Sequence, residues 1–323
     1  SIVSMLMVLV YNLADTFFIG QTKNALMVAA VSQATPAFLL FMAIGMLFGI
    51  GGTSLISRLL GQGRKAEARK ACSFCFWTGL GVGIVGMLAI LIFNEPISWL
   101  VGATESTIEY VRQYLVIVAF GVPFLIIGNV FSNVIRAEGS ANKAMMGMIL
   151  GNLTNIVLDP IMILTFGWNV AGAAIATVLG NVVSAVFYIS HFMGGKSELT
   201  ISIREYQAKH QIATGVLAIG IPASLNSMLM SVSNVLINNL MKEYGDMSVA
   251  GLGVAMKVNM VAVMLLIGLG TGIQPLLGYN YGAGNRKRYK GILRFSLIFA
   301  LCLSLVTVSY THLRAHETLM NLV

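Results

Sequence analysis

The chain has 323 residues, of which 57% are hydrophobic and 10% charged, with a formal net charge of +8 and a mean hydropathy of +0.84. A soluble domain carries roughly 25% charged residues, so this composition excludes one. The positive charge does not mark a nucleic-acid binder either, because it is confined to alternate loops between apolar runs.

Runs of the roughly 20 apolar residues that span a bilayer fall near 1–19, 27–56, 72–93, 110–135, 143–166, 169–193, 212–240, 247–277 and 291–308. Their length and spacing fit helices, since barrel strands would give short alternating segments. The first run is followed by Lys23 alone, and the second leads into Arg58, Arg64, Lys65, Arg69 and Lys70. The third precedes Glu95, Glu105 and Glu109 with a lone Arg112, and the fourth precedes Arg136 and Lys143. The turn at 167–169 is uncharged, the next loop holds Lys196, Arg204 and Lys209, and Lys242 stands beside Glu243 and Asp246. The eighth run gives way to Arg286, Lys287, Arg288, Lys290 and Arg294. This alternation follows the positive-inside rule, placing the start of the first helix in the cytoplasm and Trp99 and Trp168 at the outer boundary. The basic loops can also touch anionic lipid headgroups. Membrane lipid is therefore an expected partner, and nucleic acid is not.

Three cysteines give no disulfide framework. Cys72-x-x-Cys75 has the spacing of half a zinc site, but no second ligand pair accompanies it, and small apolar packing explains it better. Both ends of the chain read as truncated. The apolar run 295–308 stops after about 14 residues, short of a span, and yields to Ser309-Tyr-Thr-His-Leu-Arg-Ala-His-Glu-Thr318. The segment 309–323 reads as a non-native tail, with a polar outer loop as the alternative.

A shift of about 221 residues aligns Val28-Ala29 with Val249-Ala250, Gly49 with Gly270, Gly51 with Gly272, Gly61 with Gly282 and Gly63 with Gly284. Arg69 with Lys290 and Phe74 with Phe295 share the register. Six helices separate the copies, so both face the same way, as in parallel-repeat transporters with about twelve helices. The expected fold is an all-α polytopic membrane protein of two six-helix lobes, nine helices being represented. The divisions are an N-terminal lobe at 1–195, an inter-lobe linker at 196–210 and a partial C-terminal lobe at 211–308. With that lobe incomplete, the chain is expected not to transport by itself.

Asp15 and Asp159 lie inside apolar segments. A carboxylate at the centre of a membrane helix costs about 2.5–3.5 kcal/mol on insertion scales and generally marks an ion or substrate path. Asn155 and Asp159, spaced i, i+4, share one helix face, and Pro160 removes a backbone donor beside Asp159.

Seven strings in order carry a family resemblance covering 1–308. They are Tyr11-Asn-Leu-Ala-Asp15-Thr-Phe-Phe-Ile-Gly20, Gly49-Ile-Gly-Gly-Thr-Ser-Leu-Ile-Ser-Arg58-Leu-Leu-Gly61-Gln-Gly63 and Arg136-Ala-Glu-Gly139-Ser-Ala-Asn-Lys143. Then come Asn155-Ile-Val-Leu-Asp159-Pro160, Val170-Ala-Gly-Ala-Ala-Ile-Ala-Thr177, Gly220-Ile-Pro222-Ala and Gly278-Tyr-Asn-Tyr-Gly282. Together they resemble the multidrug and toxin extrusion (MATE) transporters, in their bacterial drug-exporting branch. The resemblance implies a cation-coupling site of Asp15, Asn155, Asp159 and Thr177, with Tyr114 nearby, in the bacterial inner membrane. Depths support the grouping: at 1.5 Å per residue, Asp15, Asp159, Thr177 and Asn155 lie roughly 7 to 17 Å below the outer helix ends.

Two carboxylates in a low-dielectric pocket cannot both ionise cheaply without a cation, so they share protons or hold Na⁺ between oxygen ligands. The coupling ion is H⁺ or Na⁺, and no other cofactor or metal is expected. The implied activity is antiport: ion binding drives release of lipophilic organic cations by a monomer working through alternating access. Nineteen methionines and sixteen phenylalanines can furnish an adaptable cavity. Asn226, Asn234, Asn259 and Lys257 are weaker substrate-lining candidates, and Lys257 can equally snorkel to the interface.

Rival functions fit less well. Membrane prenyltransferases hold Mg²⁺-diphosphate with a second carboxylate four residues on, but that position here is Ile163. No Gly-x-Gly-Asp motif of an intramembrane aspartyl protease occurs. An enzyme is therefore not expected. A lipid-linked glycan flippase of the same broad superfamily is the alternative, for which a more basic central cavity is expected.

Overall fold

The computed structural model describes residues 5–11, 14, 18, 25–195, 197–242 and 246–320. Helical segments among 5–18 precede nine helices: α1 (Ala25–Gly61), α2 (Lys65–Ile92), α3 (Asn94–Leu100), α4 (Ile108–Ala137), α5 (Ala141–Pro160), α6 (Asn169–Met193), α7 (His210–Lys242), α8 (Asp246–Gly282) and α9 (Arg286–Met320). No strand occurs among the described residues. Seven of these helices are long and apolar enough to cross a membrane, so the protein has an all-α, multi-pass membrane architecture. Each expected run from 27–56 onward lies within one helix to within a residue, except that 143–166 crosses from α5 into a π turn at 161–165. The helices overrun the apolar runs into the basic segments: Arg58 and Lys65 to Lys70 are helical, leaving a turn of 62–64. Residues 309–320 continue α9 as helix.

α4 is the hub of the N-terminal bundle. Its second half is buried on almost every side, as in a surrounded helix, with Val122, Ile126, Val130 and Phe131 all buried, while Val116 and Phe120 are exposed on its first half. α1, α2, α5 and α6 pack around it. α1 also receives α7 and α8, and α9 lies on α8. Without a hydrophobic force between helices in lipid, small residues that allow close backbone approach decide such contacts. Gly45 and Gly49 face α4, where an added Cβ would stand 2.9 Å from Asn129 Cβ and 2.8 Å from Asn133 Nδ2. Gly51 and Gly220 sit at the α1–α7 crossing, and Gly61, Gly278 and Gly282 at the α1–α8 crossing. At each of these five a Cβ would overlap the opposite helix.

The segment 197–209 has only one turn of 3₁₀ helix, Ile203–Glu205. It is tied to the basic end of the N-terminal bundle. Ser73 Oγ donates to the Ser202 carbonyl at 2.8 Å, Trp77 Nε1 to the Ile201 carbonyl at 3.0 Å and Arg69 Nε to the Glu198 carbonyl at 2.9 Å. Glu138 Oε1 accepts the Glu198 N–H. Cys72 and Cys75 are free and buried in the apolar core beside this contact.

Candidate functional site

The crossing of α5 and α6 builds the site. Gly151 lies against Gly180 and Ser184, where a Cβ would stand 2.7 Å from the Gly180 carbonyl oxygen. That close approach brings the polar face of α5 onto Thr177. The Asn155 amide satisfies every partner when its Nδ2 donates to Asp159 Oδ2 at 2.9 Å. Its Oδ1 then accepts from the Thr177 N–H at 3.0 Å and from Thr177 Oγ1 at 3.2 Å; this orientation is assigned from the network. Asp159 has no solvent exposure and Asn155 only 3%. The α-helix ends at Pro160 and continues as a π turn, Ile161–Thr165, in which the Phe166 N–H bonds to the Ile161 carbonyl at 2.9 Å. The proline that lacks a donor therefore changes the helix type immediately after the carboxylate.

Asn155 and Thr177 face a cavity of about 400 Å³ enclosed by α1, α4, α5, α6, α7 and α8. Phe38, Met42, Met46, Met148 and Met264 supply a soft apolar wall, the kind of surface that can repack around different ligands. Asp159 is hidden one turn beyond Asn155. A larger hollow of about 570 Å³ lies where α8 and α9 meet α1; its lining contains no carboxylate and is mostly leucine, isoleucine and tyrosine.

The structure brings Asn155, Asp159 and Thr177 together. Tyr114 is half-buried on α4, packed against the apolar core. Asp15 lies outside the described residues, as do the side chains of Asn234, Lys257 and Asn259. Asn226 is exposed on α7, and its neighbour Ser227 lines the cavity.

One cavity residue escaped the sequence reading. Arg136, taken as a topology charge at a helix end, is 5% exposed and lines the cavity. Its Nη1 donates to Asn133 Oδ1 at 3.3 Å and its Nη2 to Met148 Sδ at 3.3 Å. Its sequence position carried no signal of this, because a basic residue at the end of an apolar run reads the same whether it faces water or the interior.

The MatE family profile matches residues 1–161 and 222–320. The chain belongs to the MatE family. This MatE chain is 31% identical over 306 residues to the multidrug export protein MepA of Staphylococcus aureus (strain NCTC 8325 / PS 47), covering 93% of this chain and 68% of the relative. MepA of Staphylococcus saprophyticus is also 31% identical over 306 residues, with the same coverage. Among solved structures, MATE in the straight conformation superposes with a TM-score of 0.92 at 27% identity, covering 98% of this chain and 71% of that one. A MOP superfamily transporter from Pyrococcus furiosus gives 0.90 at 28% identity, covering 98% and 70%. An outward-facing multidrug resistance MATE transporter gives 0.88 at 28%, covering 96% and 69%.

Proposed function

We propose that this MatE chain exports lipophilic, cationic drugs and toxins by ion-coupled antiport. The observation that carries the reading is a fully buried Asp159 hydrogen-bonded by Asn155, one turn behind a methionine-rich cavity. A buried carboxylate is costly unless it is neutralised or paired, so binding and release of H⁺ or Na⁺ there changes the state of the α5–α6 wall. Asp15 completes the site in this reading. The ion arrives from outside, organic cations leave, and two lobes alternate about the cavity in the bacterial inner membrane with the N-terminus cytoplasmic. Family membership and the named multidrug exporters among its relatives support the export direction.

A lipid-linked glycan flippase gains from one observation, the arginine in the cavity. A diphosphate carries more charge than one guanidinium matches, which leaves the cationic-drug reading ahead. Ethidium accumulation in energised cells expressing the full-length gene separates them. Wild type lowering accumulation, with Asp159→Asn failing to do so at equal expression, supports both exporter and ion site. Equal lowering by both removes the coupling site. No lowering by wild type removes drug export and makes the flippase the reading to pursue.

A further inference from the structure

The segment 197–209 is fastened by a buried carboxylate whose counter-charge is not fixed. Glu138 is the C-cap residue of α4, a place where the helix dipole disfavours an anion. Its Oε1 nonetheless accepts the Glu198 N–H, and its Oε2 lies 3.6 Å from His191 Nε2, in the last turn of α6. The two side chains are only 7% and 6% exposed, and neither of the facing atoms has a hydrogen-bond partner. On the other side of the ring, His191 Nδ1 is 3.1 Å from Lys143 Nζ, in the first turn of α5. A lysine ammonium can only donate, so Nδ1 accepts and the ring is the neutral Nε2–H tautomer.

A second observation makes this contact more than a local one. Leu199 is 3% exposed within the apolar core, and Tyr206 stacks on Phe74 of α2 with ring centroids 6.2 Å apart. The segment thus lies along the N-terminal bundle as a strap before α7 begins at His210. The charged and titratable groups around the clasp point come from four elements. α2 turns the Cys72 thiol toward Glu138, and α5 supplies Lys143. The strap supplies Glu198, whose own carboxylate pairs with Lys65 of α2 at 2.7 Å. Arg136, on α4, is turned to Asn133 and Met148 instead. Histidine is the side-chain type that changes charge between about pH 5 and 8.

We propose that Glu138 and His191 form a pH-sensitive clasp, which holds the strap 197–209 on the N-terminal bundle when His191 is protonated and loosens when it is neutral. Protonation puts a hydrogen on Nδ1, sends the part-exposed Lys143 toward water and sets an imidazolium against Glu138 Oε2. The buried carboxylate then has its counter-charge and keeps the Glu198 N–H. With the ring neutral, it bears the cost of burial beside an uncharged donor beyond hydrogen-bond reach, so it turns toward water and the strap follows. The pairing is present at low pH and is lost as the pH rises through the titration of the histidine. Where two lobes alternate as proposed above, the clasp sets how freely the chain between them gives. That consequence rests on alternating access, but the clasp itself does not depend on what the cavity carries.

A nitroxide label at the exposed position 204 reads the strap directly. The purified full-length protein carries Arg204→Cys, with Cys302 and any other exposed cysteine replaced by serine and the buried Cys72 and Cys75 retained. Continuous-wave EPR gives the ratio of mobile to immobile label. With Glu138 and His191 intact, that ratio should rise about fivefold from about pH 6 to about pH 8, the smaller effect expected for loss of one buried pair. His191→Gln and Glu138→Gln keep a hydrogen-bonding side chain without the charge, and each should leave the ratio nearly constant with pH. A label at Lys287→Cys, exposed at the start of α9, should show no pH response. Because the readout is a change within one protein, a uniformly looser variant does not mimic it, and His191→Gln decides alone if Glu138→Gln fails to fold. A ratio with His191 intact that is constant with pH, or that falls as pH rises, overturns the clasp. An undiminished response in His191→Gln, or an equal response at position 287, overturns it as well. Each of these results leaves the exporter reading standing.

Discussion

Asn155 donates to Asp159 across one turn of α5 at 2.9 Å while its oxygen accepts the Thr177 N–H of α6 at 3.0 Å. One amide thus links a buried carboxylate to the neighbouring helix. In the proposed mechanism this link carries a change at Asp159 to α6, because the donor that steadies the carboxylate also joins the two helices.

Removal of that amide should be felt more than removal of the threonine hydroxyl. Asn155→Leu strips Asp159 of a donor and removes the cross-helix acceptor that Thr177 meets, a cost of about 1–3 kcal/mol. Thr177→Val retains the backbone bond and should cost about 1 kcal/mol. Thermal unfolding of both variants in detergent checks the order: Asn155→Leu below Thr177→Val below wild type. The reverse order would mean that the hydroxyl, not the amide, holds the helices.

The α1–α8 crossing should act as a closure at the basic end of the protein. Ser57 is fully buried there, and a Cβ at Gly278 would overlap its hydroxyl, while one at Gly282 would overlap the Arg58 carbonyl. Backbone cannot rotate away as a side chain can, so Gly282→Val should drive the helices apart. With Ser57→Cys as the only cysteine, labelling by a membrane-impermeant maleimide from the basic side should be slow with glycine at 282 and several-fold faster with valine. Equal labelling would show that the crossing does not seal this end.

The linker should be held by its backbone bonds more than by its surface charges. Lys65 and Glu198 meet at 2.7 Å but are both more than half exposed, and exposed pairs contribute about 0–1 kcal/mol. Trp77→Phe leaves the Ile201 carbonyl without its indole donor, a loss of about 1–3 kcal/mol. Limited trypsin digestion at Arg204 and Lys209 should therefore speed up more in Trp77→Phe than in Lys65→Gln.

Tyr188 packs its ring over Gly147 and donates its hydroxyl to the Ala144 carbonyl at 2.7 Å. Tyr188→Phe loses only the hydrogen bond, about 1 kcal/mol. Gly147→Val forces the ring out of a filled core and should cost more, about 1–3 kcal/mol. Unfolding midpoints of the two variants give the comparison directly.

Much of this was legible because membrane helices announce themselves. Apolar runs gave eight of the helices, and i, i+4 spacing put Asn155 and Asp159 on one face. Thr177 was placed with them by family resemblance and depth, and the Gly151–Gly180 contact is the physical reason they meet. Other features carried no distinguishing signal. A basic residue at a helix end looks alike whether it reaches for water or turns inward, so Arg136 passed for a topology charge. Asn226 and Ser227 differ by one position, but 100° of helix rotation separates the exposed residue from the cavity-lining one. The short α3 lacks a long apolar run, and Pro160 signals a break in the helix without specifying that a π turn follows it. The helix overruns at Arg58 and Lys65 follow from the same cause: hydropathy marks the membrane boundary, not the end of backbone hydrogen bonding.

The most direct test of the proposed coupling site is dye transport by the full-length protein in proteoliposomes under an imposed H⁺ or Na⁺ gradient. Wild type should move ethidium against its gradient when one of the two ions flows, and Asp159→Asn should bind ethidium yet respond to neither gradient. Gradient-driven transport by Asp159→Asn at the wild-type rate would contradict the account.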